Sequence, residues 1–175
     1  MPAKKNTSSK KEPRATRPNM PGYGISTTKR GMLPWKWAEE RLRKSRQYWM
    51  VTVRPDGRPH VMPVWGLWRE GALYFSTGGQ TRKARNLAAN PNCIVCNENA
   101  GEGVIVEGTA GTWKDEGRFE ELAREYQKKY KMNIRGMNEP FYRVTPRVVF
   151  GLYEKKFPTT ATRWLFDTDE KGTAV

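Results

Sequence analysis

The chain has 175 residues, enough for one domain with its own hydrophobic core, and 37% of them are hydrophobic. It contains no apolar run near the roughly 20 residues of a membrane-spanning helix, and its first residues lack the apolar core of a secretory signal, so we expect a cytoplasmic protein with no membrane association. The formal net charge is +14, and residues 1–30 carry half of it.

Residues 1–30 are predicted to form a basic, flexible arm ahead of a folded domain at 31–170. The first 20 residues are rich in Lys, Ser, Thr, Pro and Arg and show no periodicity. Such an arm binds nucleic acid at most weakly and non-specifically, because no aromatic residues alternate with its cations. An arm that only increases solubility is the alternative. Tyr23 and Ile25 are predicted anchors that lie on the domain surface or over a partner subunit.

The folded domain is predicted to begin with a helix and a strand. Trp35, Ala38 and Leu42 share one stripe, which indicates a helix that starts near Pro34. Residues 47–54 then alternate Tyr, Met and Thr with Trp, Val and Val, the pattern of a β-strand with two different faces.

Residues 52–87 are predicted to form one unit. After the end of the first strand it continues with a hairpin turn and two further strands. Pro-Asp-Gly at 55–57 predicts the hairpin turn. Strands are expected at 60–68 and 72–76. Pro63 interrupts the first of them and indicates a sheet edge or a bulge, where backbone groups are free to meet a ligand.

The remaining elements complete a mainly β fold. Thr81 is the predicted N-cap of the helix RKARNLAA, which Asn90-Pro91 ends. A long helix at 115–131 and an irregular loop after it separate the last strands, which are expected at 93–97, 104–112, 147–153 and 162–166. Six or more short antiparallel strands with two or three flanking helices predict a small antiparallel barrel.

Cys93 and Cys96 stand three residues apart in a predicted strand. A CxxC pair occurs in redox and metal sites, but alternation along a strand puts the two thiols on opposite faces. The sequence also has no second cluster of ligands, so we predict no metal site.

The best candidate site is the glycine turn and helix start at 76–83, which we call the phosphate clamp. A helix N-terminus presents free N–H groups and partial positive charge. The segment adds three hydroxyl groups and two cations, from Ser76, Thr77, Thr81, Arg82 and Lys83. Cations at a helix N-terminus oppose the helix dipole, so their presence favours a phosphate ligand over a solvated turn.

A second candidate is the apolar strand at 60–65, which we call the ring wall. A flat ring system could lie against it, with an ordinary core strand as the alternative. His60, the only histidine, flanks this pocket as a candidate ligand contact. Motifs for nucleotide, metallopeptidase or serine hydrolase chemistry are absent from the sequence, which favours chemistry carried by a cofactor.

The segments DGRPHVMPVWGLW, GALYFSTG, TRKARNLAANP and VIVEGTA together resemble the pyridoxamine 5′-phosphate oxidase-like superfamily. Within it, the chain is most similar to the flavin/deazaflavin oxidoreductase B branch, whose members use coenzyme F420 or FMN. The resemblance implies an FMN-binding split β-barrel that forms a homodimer with cofactor sites at the subunit interface. It implies no dedicated catalytic acid or base.

The resemblance also implies roles for individual residues. The ring wall that faces the cofactor ring comprises His60, Val61, Met62, Pro63, Val64 and Trp65. Ser76 and Thr77 would lie beside the phosphate, and Thr81, Arg82 and Lys83 would bind it. In the segment ATRWLF, Arg163 and Trp164 would approach the cofactor from the partner chain.

Two departures argue against oxidation of vitamin B6. Nothing after Phe166 resembles the Arg and His motif that grips pyridoxal phosphate in true pyridoxamine phosphate oxidases, and Trp65 stands where those enzymes have a cation. The sequence therefore predicts hydride transfer between F420 and an unsaturated small molecule, with an FMN enzyme or a non-catalytic flavin or deazaflavin-binding protein as alternatives. Cations for the anionic F420 tail are expected at Lys128, Lys129, Lys131 and Arg135.

Overall fold

A computed structural model describes residues 12–167. The strands are β1 (Arg14–Thr16), β2 (Tyr48–Val53), β3 (Pro59–Val64), β4 (Gly66–Arg69), β5 (Ala72–Ser76), β6 (Asn92–Asn97), β7 (Glu102–Trp113), β8 (Phe141–Tyr153) and β9 (Thr162–Leu165). The helices are α1 (Trp35–Lys44), α2 (Arg82–Ala89), α3 (Glu116–Tyr130) and α4 (Phe157–Thr160), with a short 3₁₀ helix at Glu154–Lys156. Within this described part, no helix is both long and apolar enough to cross a membrane.

The strands form one antiparallel sheet in the order β1-β9-β8-β7-β6-β2-β3. The long strand β8 joins the two parts of this sheet. Its first half pairs with β5, which in turn pairs with β4, and its second half pairs with β9. Because β7 runs beside the whole of β8, the sheet curls around a core and remains open at the β3 edge. The predicted split β-barrel is therefore confirmed.

Local sequence preferences explain most of the element boundaries. Thr81 caps α2 and Asp115 caps α3, each by accepting a hydrogen bond from a backbone N–H in the first turn. The predicted strand at 60–68 is in fact two strands, β3 and β4, and the break falls at Trp65 rather than at Pro63. Pro63 fits inside β3 because this strand lies at the sheet edge.

Alternation across the sheet separates an inner from an outer face. The register aligns Met50, Val95, Val106, Val149 and Trp164 across five strands, and all five are buried in the main core. Helices α1 and α2 close this core from the inner side through Leu42 and Leu87. A second cluster lies under α3, where Leu122 and Tyr126 belong to the same buried set as Leu67, Tyr74 and Phe141.

The second half of the predicted arm lies along the folded domain, and its predicted flexibility stays a prediction. Residues 14–16 form β1, which pairs with β9 at the far edge of the sheet. The Arg17 guanidinium donates hydrogen bonds to four backbone carbonyls, including those of Thr159 and Ala161. These non-local contacts give an irregular sequence a fixed path along the domain, where Tyr23 packs edge-on against Phe157. The first part of the arm, 1–11, lies outside the described residues.

Candidate functional site

The phosphate clamp folds around the hydroxyl of Thr81. This oxygen accepts a hydrogen bond from the Ala84 N–H at 3.3 Å and lies 3.2 Å from the Thr77 hydroxyl. The Thr81 N–H donates to the Gly78 carbonyl, which closes the turn before α2. The predicted N-cap is thus confirmed, and the first turn of α2 is oriented with its N–H groups toward the clamp.

Ser76, the first residue of the clamp, also has a structural contact. Its hydroxyl donates to the Pro140 carbonyl at 3.1 Å, which ties the end of β5 to the loop before β8. The hydroxyl oxygen remains available as an acceptor, but not as a second donor. The donors left to hold an anion are therefore the α2 backbone, the one hydroxyl proton that the Thr77–Thr81 contact does not use, and the cations that follow Thr81.

The cations of the clamp form no ion pair within residues 12–167. One basic side chain near this end of the fold, Arg58, pairs with Asp56 at 2.7 Å, and the charge of Asp56 also acts on Arg82 and Arg54. By contrast, none of the ion pairs of the described chain includes Arg82 or Lys83. Arg82 is exposed, and loss of solvation lowers the pKa of the half-buried Lys83. Two cations without an ion pair at a helix N-terminus favour the predicted phosphate contact, which stays a prediction.

His60 faces this clamp from the neighbouring hairpin. Its Nδ1 atom is buried and has no hydrogen-bond partner. Loss of solvation, reinforced by the charges of Arg54, Lys83 and Arg82, holds the pKa of His60 below its usual value of 6.5. The imidazole is therefore neutral in the free protein at neutral pH, and an incoming anion would favour its protonation.

Arg54 is the site residue that sequence reasoning missed. Its Nε atom is also buried without a hydrogen-bond partner, and it too has no ion pair in the described chain. The signal was present in the sequence, because Arg54 lies two residues after Thr52 and so on the same strand face. The predicted hairpin then brings that face beside His60, which pairs with Thr52.

The ring wall presents an exposed apolar edge beside the clamp. The exposed fractions of Val61, Met62 and Trp65 are 51%, 45% and 42%, and Pro63 is exposed as well. Val64 is the exception, because its side chain lies in the main core opposite Tyr48. The prediction that every residue of 60–65 faces a ligand is thus wrong for the Val64 side chain, which alternation turns inward.

Trp65 is held in place by α3. Its ring stacks on Tyr130 with centroids 4.8 Å apart and an interplanar angle of 7°. The Tyr130 hydroxyl is anchored in turn by the backbone of Arg46 and Gly66. The ring stack and these hydrogen bonds therefore fix an exposed indole at the Gly66 end of the ring wall, where Gly66 pairs with Phe75, the residue just before the clamp.

The two cofactor contacts predicted on β9, Arg163 and Trp164, lie on opposite faces of the strand. Trp164 is 1% exposed and packs so closely on Gly151 that a Cβ there would lie 2.6 Å from the indole. The predicted cofactor contact is therefore wrong for the Trp164 side chain, which belongs to its own core. Arg163 points to the opposite face of β9, half-buried, where its Nε donates to the Thr16 hydroxyl. Neither lies in the clamp of its own chain.

Two of the four cations expected to hold the F420 tail already have partners within the chain. Arg135 pairs with Glu120 at 3.0 Å. Lys129 Nζ donates to the Gly66 carbonyl and the Tyr48 hydroxyl, and burial lowers the pKa of Lys129 to about 8. Gly66 pairs with Phe75, the residue just before the clamp, so the bonded Lys129 lies near the start of the clamp.

The outer face of the sheet carries an apolar row, which we call the outer row: Pro63, Trp49, Cys96, Ile105, Phe150 and Arg163. Trp49 is 48% exposed, and the residues that follow it along the row are half-buried. An apolar row of this length across a sheet is typical of a surface that another protein surface covers. Cys96 lies in this row, whereas Cys93 faces inward, as predicted.

His60 predicts a pH dependence of stability in the ligand-free protein. Because the folded protein has the lower pKa, the unfolded chain binds more protons below about pH 6.5, and the free energy of unfolding falls as pH drops through that value. We expect a shallower fall in His60→Gln. Denaturant unfolding between about pH 7.5 and 5 measures both curves, and parallel curves would contradict the assignment. The charges that face the imidazole are those of Arg54, Arg82 and Lys83.

The fold and the cation-lined edge define a split β-barrel of the type that binds flavin-like cofactors. The sequence profile of pyridoxamine 5′-phosphate oxidase matches residues 35–153, and the chain belongs to this family. No curated protein matches the chain in sequence.

Solved structures share this fold at low sequence identity. A conserved hypothetical protein, Rv2991 of Mycobacterium tuberculosis, aligns with a TM-score of 0.62 at 19% identity, over 75% of this chain and 92% of that one. An FAD-binding protein of Mesorhizobium loti gives 0.55 at 18% identity, over 75% and 93%. An F420 reductase gives 0.50 at 22% identity, over 63% and 94%. These likenesses establish the fold.

Proposed function

We propose that this protein is an oxidoreductase of the flavin/deazaflavin oxidoreductase B branch that uses bound coenzyme F420. The reaction is hydride transfer to or from an unsaturated small molecule. The observation that carries the proposal is the pairing of two cations with no ion pair in the described chain, Arg82 and Lys83, with the exposed apolar ring wall. When bound, the cofactor supplies the hydride chemistry.

The chain's own residues bind and orient the cofactor. The N-terminus of α2 with Arg82 and Lys83 holds the phosphate, since backbone N–H groups and cations converge there. Met62 faces the same side of β3 as His60 and offers the ring an apolar contact, whereas Val61 and Pro63 face the outer side. Trp65 lies at the Gly66 end of the strand, stacked on Tyr130. The buried Nδ1 of His60 has no hydrogen-bond partner within the chain and is available for a hydrogen bond with the ligand.

F420 is preferred over FMN because its anionic tail calls for cations beyond those that one phosphate needs. Arg54, Arg82 and Lys83 meet this need better than the four cations at 128–135, because Lys129 and Arg135 already have partners within the chain. The fold likeness to an F420 reductase agrees with this choice. An FMN-dependent enzyme remains the second candidate, favoured by the family match alone. A non-catalytic cofactor-binding protein is the third.

The homodimer is part of the proposal. The outer row offers a self-complementary apolar face, and the ring wall lies at its edge, since Pro63 belongs to both. One chain therefore provides a ring wall that is open on one side, and a second copy would close it. Arg163 lies in the same row, so it is the residue of β9 able to reach a site across that interface.

A spectral titration tests the function. We expect the purified protein to bind F420 with a dissociation constant on the order of micromolar, and FMN more weakly, by quenching of the cofactor's fluorescence. Binding of neither cofactor would exclude both enzyme hypotheses. If F420 binds, single-turnover oxidation of its reduced form by enones separates an enzyme from a carrier, because a carrier leaves the reduced spectrum unchanged.

A further inference from the structure

The side chains of Thr52, Arg54 and His60 meet the first turns of α2 on the inner side of the β2–β3 hairpin. Thr52 pairs with His60, and its hydroxyl accepts a hydrogen bond from Asn86 of α2 at 2.9 Å. Lys83 lies one turn before Asn86 and so on the same side of α2. Arg54 follows Thr52 on the same strand face. The charges of Arg54 and Lys83 both act on His60.

The buried polar atoms of this group are unsatisfied. Arg54 Nε and His60 Nδ1 are both shielded from solvent, and neither has a hydrogen-bond partner. An unpaired buried polar atom costs about 1–3 kcal/mol, so native proteins rarely keep two together without a ligand. Arg58, on the same hairpin, shows the contrast, since Asp56 binds its guanidinium through two nitrogens.

One phosphate does not account for all of these cations. Arg82 and Lys83 already match or exceed the roughly one or two negative charges of a phosphate diester or monoester at neutral pH. Arg54 then remains as a third cation with no ion pair in the described chain, within reach of the Asp56 charge that Arg58 already binds, and His60 can become a fourth on protonation. Arg54 lies at the hairpin rather than on α2, so a ligand that reaches both must extend from the helix start toward the hairpin.

We propose that Arg54 and His60 form a second anion subsite, which takes a carboxylate or second phosphate carried by the cofactor beyond the phosphate in the clamp. The subsite rests on the proposed cofactor binding and deepens it. A carboxylate-bearing tail and a diphosphate both supply a second anionic group beyond the phosphate in the clamp. FMN and riboflavin have no such second group.

Affinity measurements on Arg54→Gln test the subsite. We expect the variant to bind F420 or FAD at least about tenfold more weakly than the wild type, as for a lost hydrogen bond to a charged group, while FMN loses less than about threefold. A larger loss of F420 affinity indicates a subsite for a carboxylate, and a larger loss of FAD affinity indicates a subsite for a diphosphate. Arg85→Gln, an exposed cation on α2, is the matched control. An equal loss for FMN, no selective loss, or the same loss in the control would overturn the proposal.

A probe without a ring separates the subsite from the proposed function. His60 is the only histidine, so its imidazole C–H signals in the NMR spectrum report one pKa. We expect pyrophosphate to raise that pKa in the wild type more than inorganic phosphate does, and not in Arg54→Gln. This result without flavin or F420 binding would support the subsite and overturn the function. Equal shifts with phosphate, or no shift, would overturn the subsite.

Discussion

Replacing Arg82 and Lys83 together by Gln should weaken cofactor binding by more than about a hundredfold, because each hydrogen bond to a charged group contributes roughly 1.5–3 kcal/mol. The same change should not weaken the fold. Both residues stand in the first turn of α2, where positive charges oppose the helix dipole, so their removal should stabilise the free protein by roughly 0.3–1 kcal/mol each. Affinity and stability are therefore expected to move in opposite directions.

Fluorescence titration and denaturant unfolding measure the two quantities on the same samples. Arg85→Gln removes one charge, half of what the double variant removes, from the same helix at an exposed position and should change affinity by less than about threefold. If the double variant bound the cofactor as the wild type does, the clamp would have no role in binding. If the double variant were less stable than the wild type, Arg82 and Lys83 would serve the fold rather than a ligand.

The clamp was predictable because its information is local. Thr81, the glycine turn and the helix RKARNLAA follow capping and turn rules that act over a few residues, and α2 begins at Arg82 as expected. The ring wall was predictable as a strand, but which side chains face a ligand depends on its register with β2. That register buries Val64 and exposes Val61.

Side-chain pairing and long-range strand pairing set the limit of sequence reasoning. Lys129 and Arg135 look like free cations in the sequence, yet one is bonded to Gly66 and the other to Glu120. The segment around Arg14 has no strand pattern, and it becomes β1 only because β9, far along the chain, offers an open edge. Such partners appear only once the whole fold is assembled.

Trp49→Glu should convert the proposed dimer into a folded monomer. Trp49 is 48% exposed in one chain, so the monomer tolerates a charge there, whereas a carboxylate buried among the apolar side chains of two outer rows would lose its solvation. Loss of a central aromatic contact costs an interface roughly 2–4 kcal/mol, which weakens the dimer by about 30- to 1000-fold. Sedimentation velocity measures the association state, and Met132→Glu, on an exposed loop after α3, is the control.

The same variant shows whether one chain holds a complete site. Trp49 lies on the outer face, opposite to the side on which Thr52 and His60 meet α2, so the substitution leaves the clamp intact. If a second copy closes the ring wall, the monomer should still bind pyrophosphate but should bind F420 at least about tenfold more weakly. A monomer with unchanged F420 affinity would restrict the site to a single chain. A variant that stays dimeric would move the interface to another surface.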